Sequence, residues 1–147
     1  MAPTDADPAP ASEISDELRA AIDGGFAGRI GLVHDDVGPD RVTAHLEVTP
    51  ALHGAEGGLH PGVASAVVET LASVGAAVWL GDAGQVVGVT NATDHLGAPA
   101  DGVLRARAVP VDRGPDAQLW QVGIETEDGT LVADGRVRLQ NLRGRGR

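Results

Sequence analysis

The sequence predicts an α+β domain in which one antiparallel sheet packs against one long helix. Three observations carry that prediction. The run HPGVASAVVETLASVGAAVWLG, His60 to Gly81, has helical periodicity and a single charged side chain, Glu69. Two strand-like runs precede it and a series of strand-like runs follows it, so strands and helix are segregated rather than alternating. Within one run Val42, Ala44, Leu46 and Val48 share a face while Thr43, His45 and Glu47 share the other, the pattern of a sheet covered on one side.

Taken in order, residues 1–13 are rich in Pro, Ala and Asp and read as a disordered tail. They lack the positive and apolar regions of a secretory leader, so a cytoplasmic setting is expected. From Ser15, SDELRAAIDGGF predicts a short helix: Ser15 caps it, Asp16 and Glu17 suit the first turn, and Gly24-Gly25 stop it. Strands are expected at Arg29–Asp35 and Arg41–Val48, separated by the turn signal VGPD. A glycine-rich loop from Pro50 to Leu59 leads into the long helix, whose first turn accommodates Pro61 because its missing N–H would be unbonded there.

At 100° per residue the helix divides into two stripes. Val63, Val67, Leu71, Val74 and Val78 form a branched apolar stripe expected to face the sheet. Gly62, Ser65, Ala66, Glu69, Ala72, Ser73 and Ala76 form a stripe of small residues around one carboxylate, with room for a substrate, a partner subunit or water. Four further strands are expected at Gln85–His95, Val103–Val111, Leu119–Glu127 and Thr130–Leu142, the last two joined by a hairpin at Glu127-Asp128-Gly129. The folded domain is thus placed at 14–142, with an Arg/Gly tail at 143–147.

Composition narrows the function classes. A chain of 147 residues suits one domain with a real core, built from Val, Leu, Ala and Ile because aromatics are only 2%. The absence of cysteine excludes disulfides, Cys-based metal sites and Cys nucleophiles. A net charge of −10 argues against a general nucleic-acid binder. The 60–81 run is long enough to span a bilayer. A central acid costs about 2.5–3.5 kcal/mol there, however, and Ala, Gly and Ser offset it poorly. A buried helix with no membrane partner is therefore expected. His34, His45, His53 and His95 show no HxH or HExxH spacing, so no metal site is expected. No GxSxG elbow is present, nor a GxGxxG or GxxxxGK[ST] string after a strand, and no cofactor is expected.

Four stretches together carry a family resemblance: GLHPGVASAVVETLASVGAAVWLG (58–81), VVGVTNATDHL (86–96), PVDRGPDAQLWQV (110–122) and LVADGRVRLQNL (131–142). In that order they resemble hotdog-fold acyl-CoA thioesterases, of the phenylacetate-type (PaaI-like) and 4-hydroxybenzoyl-CoA-type branch with an acid on the central helix. The likeness runs from about Phe26 to Leu142.

The resemblance implies an antiparallel sheet wrapped around the helix and hydrolysis of an aromatic or medium-chain acyl-CoA thioester. It assigns Glu69 as nucleophile or general base. It places His60, Pro61 and Gly62 at the helix start, where N–H groups and the helix dipole polarise the thioester carbonyl. Ser73 stands where a hydroxyl approaches the acid, and Asn91, Thr93 and Asp94 lie on the strand lining the acyl pocket at a subunit interface. Arg113 stands near the CoA phosphates.

Glu69 is seven to eight residues from its own helix start, about 11 Å along the axis. One carbonyl cannot touch both, so the implied assembly is a homodimer or homotetramer, each site shared by two subunits. The sequence departs from the family pattern at His60-Pro61-Gly62, where His-Gly-Gly is usual, at Gly54, where Asn or Gln is common, and at Gly97 and Pro115, where a basic residue is common. Loss of one oxyanion donor costs about 2.7–4 kcal/mol.

Plainer readings stand beside these. His60 is then only a helix cap, Ser73 fills the small stripe, Glu69 is solvated, and Asn91, Thr93 and Asp94 are ordinary sheet polar residues. The fold is also compatible with acyl-thioester binding without hydrolysis, or with a lyase or cyclase using Glu69 as a proton-transfer base.

Overall fold

The computed structural model describes residues 14–144. The expected 1–13 tail and residues 145–147 of the expected C-terminal tail lie outside the described residues. Six strands form one sheet in the order β1-β2-β4-β5-β6-β3, and each neighbouring pair is antiparallel. They are β1 (Val33–Val37), β2 (Val42–Glu47), β3 (Gly84–His95), β4 (Val103–Arg113), β5 (Ala117–Thr126) and β6 (Leu131–Arg143). The helices are α1 (Asp16–Asp23), α2 (Gly25–Arg29) and α3 (Pro61–Leu80), and α3 lies against all six strands.

The α1 helix begins as its sequence dictates, with the Ser15 hydroxyl accepting from the Leu18 N–H at 3.2 Å. The next segment differs from expectation. Residues 25–29 form α2, and the first strand starts only at Val33. Gly25 (φ 62°) and Gly31 (φ 85°) take left-handed angles that interrupt an extended run. The Leu32 N–H then closes the turn on the Ala27 carbonyl at 3.1 Å. Val37 and Ile22 remain buried, so the apolar residues still reach the core through a different backbone path.

The sheet face toward α3 carries the core. Val42, Ala44, Leu46 and Val48 are all buried, as their alternation requires. On α3, Val63, Val67, Leu71 and Val74 are buried and Val78 is half-buried. Ala72 and Ala76, assigned above to the open stripe, are fully covered as well. The sheet therefore curls around more of the helix than a single stripe would need. Close approach depends on Gly75, where a Cβ would come within 2.5 Å of the Trp120 ring. The helix with its following turn is long and apolar enough to cross a bilayer, but ten α3 residues are buried in the protein instead.

A buried polar cluster fixes helix to sheet. The Gln118 amide donates to the Ala76 carbonyl (3.2 Å) and to Asn141 Oδ1 (2.8 Å), while the Trp120 indole donates to Gln118 Oε1 (2.9 Å). Asn141 Nδ2 in turn donates to the Gly114 carbonyl (3.0 Å), tying down the β4–β5 turn. Arg143, assigned above to the tail, ends β6, and its Nε donates to the Pro115 carbonyl (2.9 Å).

The two edges of the sheet differ. β1 is short, and its His34 is packed under α1 with Nδ1 3.3 Å from Asp23 Oδ1. Burial pushes the His34 pKa below its usual value, against the opposing pull of Asp23. β3 is long and open, with Val87 and Val89 exposed at 46% and 51%.

Candidate active site

The helix start is built by the loop that precedes it. The His60 N–H donates to the Leu52 carbonyl and the Leu59 N–H to the Pro99 carbonyl, each at 2.9 Å, anchoring both flanks. His60 is the N-cap of α3, and its Nδ1 accepts from the Gly62 N–H at 2.8 Å. An accepting Nδ1 leaves the neutral ring's proton on Nε2, at an exposed position. Pro61 has no N–H, and the Val63 N–H is bonded to the His60 carbonyl at 3.0 Å. The first helical donors are thus absent or engaged within the turn. Position 54 faces the same ring: a Cβ on Gly54 would sit 3.6 Å from His60 Cδ2, an ordinary contact.

Two turns along α3, half-buried Glu69 points toward β3. Asn91 Nδ2 donates to Glu69 Oε2 and to the Ser65 carbonyl, both at 3.1 Å. The Thr93 hydroxyl donates to Asn91 Oδ1 at 2.7 Å, which fixes the orientation of the amide. Ser73 Oγ reaches Glu69 Oε1 at 3.5 Å, the outer limit of a hydrogen bond. The carboxylate therefore has donors on two sides and opens toward the free edge of the sheet.

This grouping depends on a bulge. The β3–β6 register shifts between Gly88 and Thr90, so Val89 is an extra residue and the facing side chains change parity. Gly88 meets the helix before the bulge; Asn91, Thr93 and His95 meet it afterwards. Without the bulge Asn91 would point away from Glu69.

The structure brings together Glu69, Ser73, Asn91 and Thr93, with His60, Pro61 and Gly62 at the helix start on the same element. Asp94 and Arg113 lie elsewhere. Asp94 follows Thr93 on the strand and takes the opposite face, paired in register with Asp134. Arg113 sits at the end of β4, stacked 5.3 Å from the Trp79 ring centre and bonded to the Pro39 carbonyl (2.7 Å) and Asp40 (2.9 Å). Trp79 is ten residues beyond Glu69, about 15 Å along the axis.

Ser65, a member of the small-residue stripe, has its hydroxyl 3.4 Å from His95 Nε2. One neighbour of the site is not signalled by the sequence: Gly88, which lies under the Glu69 carboxylate. The parity shift at Val89 hides it, because a strand read at period two puts Gly88 on the face opposite Asn91 and Thr93. A groove of about 800 Å³ opens on the other face of the sheet, among Arg105, Arg107, Gln121 and Asp134, and includes none of the grouped residues. Among the described residues no three His, Asp or Glu side chains gather closely enough to hold a metal ion.

Comparison with known proteins bears on this geometry. Residues 56–133 match the model of the thioesterase superfamily. The chain is 42% identical to the Mycobacterium tuberculosis protein named "Putative esterase Rv1847", over 82% of this chain and 88% of that one. It is 29% identical to the "Proofreading thioesterase EntH" of Cronobacter sakazakii, again over 82% and 88% of the two chains. The crystal structure of S. sahachiroi AziG superposes with a TM-score of 0.80 at 46% identity, covering 82% of this chain and 98% of that one.

Proposed function

The chain belongs to the thioesterase superfamily and has its hotdog fold, and from that premise we propose that it hydrolyses an aromatic or medium-chain acyl-CoA thioester with Glu69 as nucleophile or general base. The observation that carries this reading is the Glu69 carboxylate, held by Asn91 and Ser73 on the small-residue side of α3 and facing an open edge. A carboxylate so held keeps its lone pairs directed at a bound carbonyl or at a water beside it. Hydrolysis adds that water across the C–S bond and releases the carboxylic acid and the CoA thiol.

The site is completed by a second copy of the chain. β3 leaves a row of backbone groups and two valines exposed at an edge, which proteins ordinarily cover. Pairing β3 with its counterpart sets one helix start near the neighbour's Glu69, across a distance that one helix cannot close by itself. The carbonyl donor in this arrangement is the outward Nε2–H of His60, whose tautomer the Gly62 N–H maintains.

A thiol-release assay across a panel of acyl-CoA esters, run on the wild type and Glu69→Gln, tests the proposal. Turnover that falls at least about 10²-fold in the variant, with circular dichroism unchanged, is the expected result. Full hydrolysis by Glu69→Gln removes the acid from the mechanism. A second reading, binding without efficient turnover, is favoured by the missing donor at Pro61 and the bare position at Gly54. Tight CoA-ester binding with negligible thiol release selects it.

A further inference from the structure

We infer that Gly88 is a positioning residue for Glu69: its α-carbon is the floor against which the carboxylate rests, and no other residue type leaves that place open. This rests on the reading of Glu69 as the reacting acid. A methyl group in the Cβ position of residue 88 would overlap Glu69 Oε1 and would stand 3.2 Å from Cδ and 3.7 Å from Oε2. The neighbour is the far end of the acid's own side chain, so the overlap is relieved by moving the carboxylate itself.

A backbone requirement does not explain the glycine, since Gly88 is not among the residues with left-handed φ. Dense packing does not explain it either, because residue 88 is exposed on the edge strand. What remains is the space that the carboxylate occupies.

The seat has three sides. Gly88 lies beneath, Asn91 donates from the strand, and Ser73 donates from the next helical turn. The bulge at Val89 lets one strand supply both the floor and the Asn91 wall, because it turns residues 88 and 91 to the same face. Relieving the overlap of an added methyl moves the carboxylate by roughly 1 Å, and a misplacement of that size in a reacting group costs about 10²-fold in rate. Substrate affinity, set by the acyl and CoA contacts, is little affected.

The test combines kinetics with stability. On an acyl-CoA ester that the wild type hydrolyses, Gly88→Ala is expected to lower kcat about 10²-fold with KM nearly unchanged. Its kcat–pH profile is also expected to shift, as the carboxylate leaves Asn91. In thermal unfolding, Gly88→Ala is expected to lower Tm in the wild-type background and to leave it unchanged or raised in a Glu69→Ala background, where the methyl has room. A kcat within twofold of wild type, or an equal Tm loss in both backgrounds, overturns the assignment. The Tm comparison needs no substrate, so a wild type inactive on every ester would sink the thioesterase reading while this contact is still decided. If Gly88→Ala does not fold, the double variant Glu69→Ala/Gly88→Ala decides the question: its folding supports the overlap, and its failure to fold overturns it.

Discussion

Asn91 gives both hydrogens of its side-chain amide to the long helix, one to the Ser65 carbonyl and one to Glu69 Oε2, each at 3.1 Å. With the Thr93 hydroxyl donating to Oδ1, all its strong hydrogen-bonding directions but one are used. Asn91→Ala removes a donor to a charged group, a bond of about 1.5–3 kcal/mol, and kcat is expected to fall roughly ten- to a hundredfold. Asn91→Asp places a second carboxylate against the first and disfavours ionisation of both. The acid limb of its pH–rate profile is expected to move to higher pH, and an unmoved limb would separate Asn91 from the reacting group.

Pro61→Gly should act on rate and stability in opposite directions. The new N–H at the helix start adds a donor where the oxyanion develops, and kcat is expected to rise by up to about 10²-fold. The freer backbone of the unfolded chain lowers stability by about 0.4–1 kcal/mol. Thiol release and urea unfolding measured on one preparation check both signs. An unchanged rate would show that the thioester carbonyl does not sit at this turn.

Val89→Lys puts a charge on the exposed edge strand β3, at the pairing proposed above between two copies of the chain. A monomer by light scattering, together with loss of hydrolysis, is expected. A variant that is monomeric yet fully active would show that one chain holds the whole site.

His34 makes stability fall in acid. Its folded pKa lies below the ordinary histidine value of 6.5, chiefly because burial disfavours the charged ring. The unfolded chain therefore takes up the proton first, and stability is full above pH 6.5 and declines as the pH drops from there through the folded pKa. Urea midpoints between pH 7.5 and about 5 should fall more steeply for the wild type than for His34→Leu. Equal slopes would assign the acid sensitivity elsewhere.

Much of the architecture is legible in the residues. Pro61 and Gly81 bracket α3 almost to the residue, and the Val42–Val48 alternation identifies the buried face of β2. The four later strands fall within two residues of their expected ends. RIGLVHD misleads because β-branched and apolar residues favour a strand, while the left-handed turns at Gly25 and Gly31 are tertiary choices that local propensity does not encode. Glu69 stands out in the sequence as the lone acid of an apolar helix, and Asn91 and Thr93 enter through the resemblance. Their joining to Glu69 rests on the bulge at Val89, which has no composition signal, and Gly88 looks like any glycine in a strand until the helix is laid over it. The resemblance puts Arg113 with the CoA phosphates, whereas in the structure its guanidinium is engaged by Asp40, Pro39 and Trp79.

The Gln118 amide bonded to the Ala76 carbonyl has a mechanical consequence. A cylinder of valines and alanines could otherwise slide or roll within its sheath at small cost, since apolar contacts are non-directional. A buried hydrogen bond made to a main-chain oxygen partway down that cylinder is a key in a slot: sliding by one residue, about 1.5 Å, would leave both partners without a bond inside the core. Glu69 lies two turns upstream on the same rigid rod, so its axial coordinate is indexed to β5 rather than left to the fit of hydrocarbon.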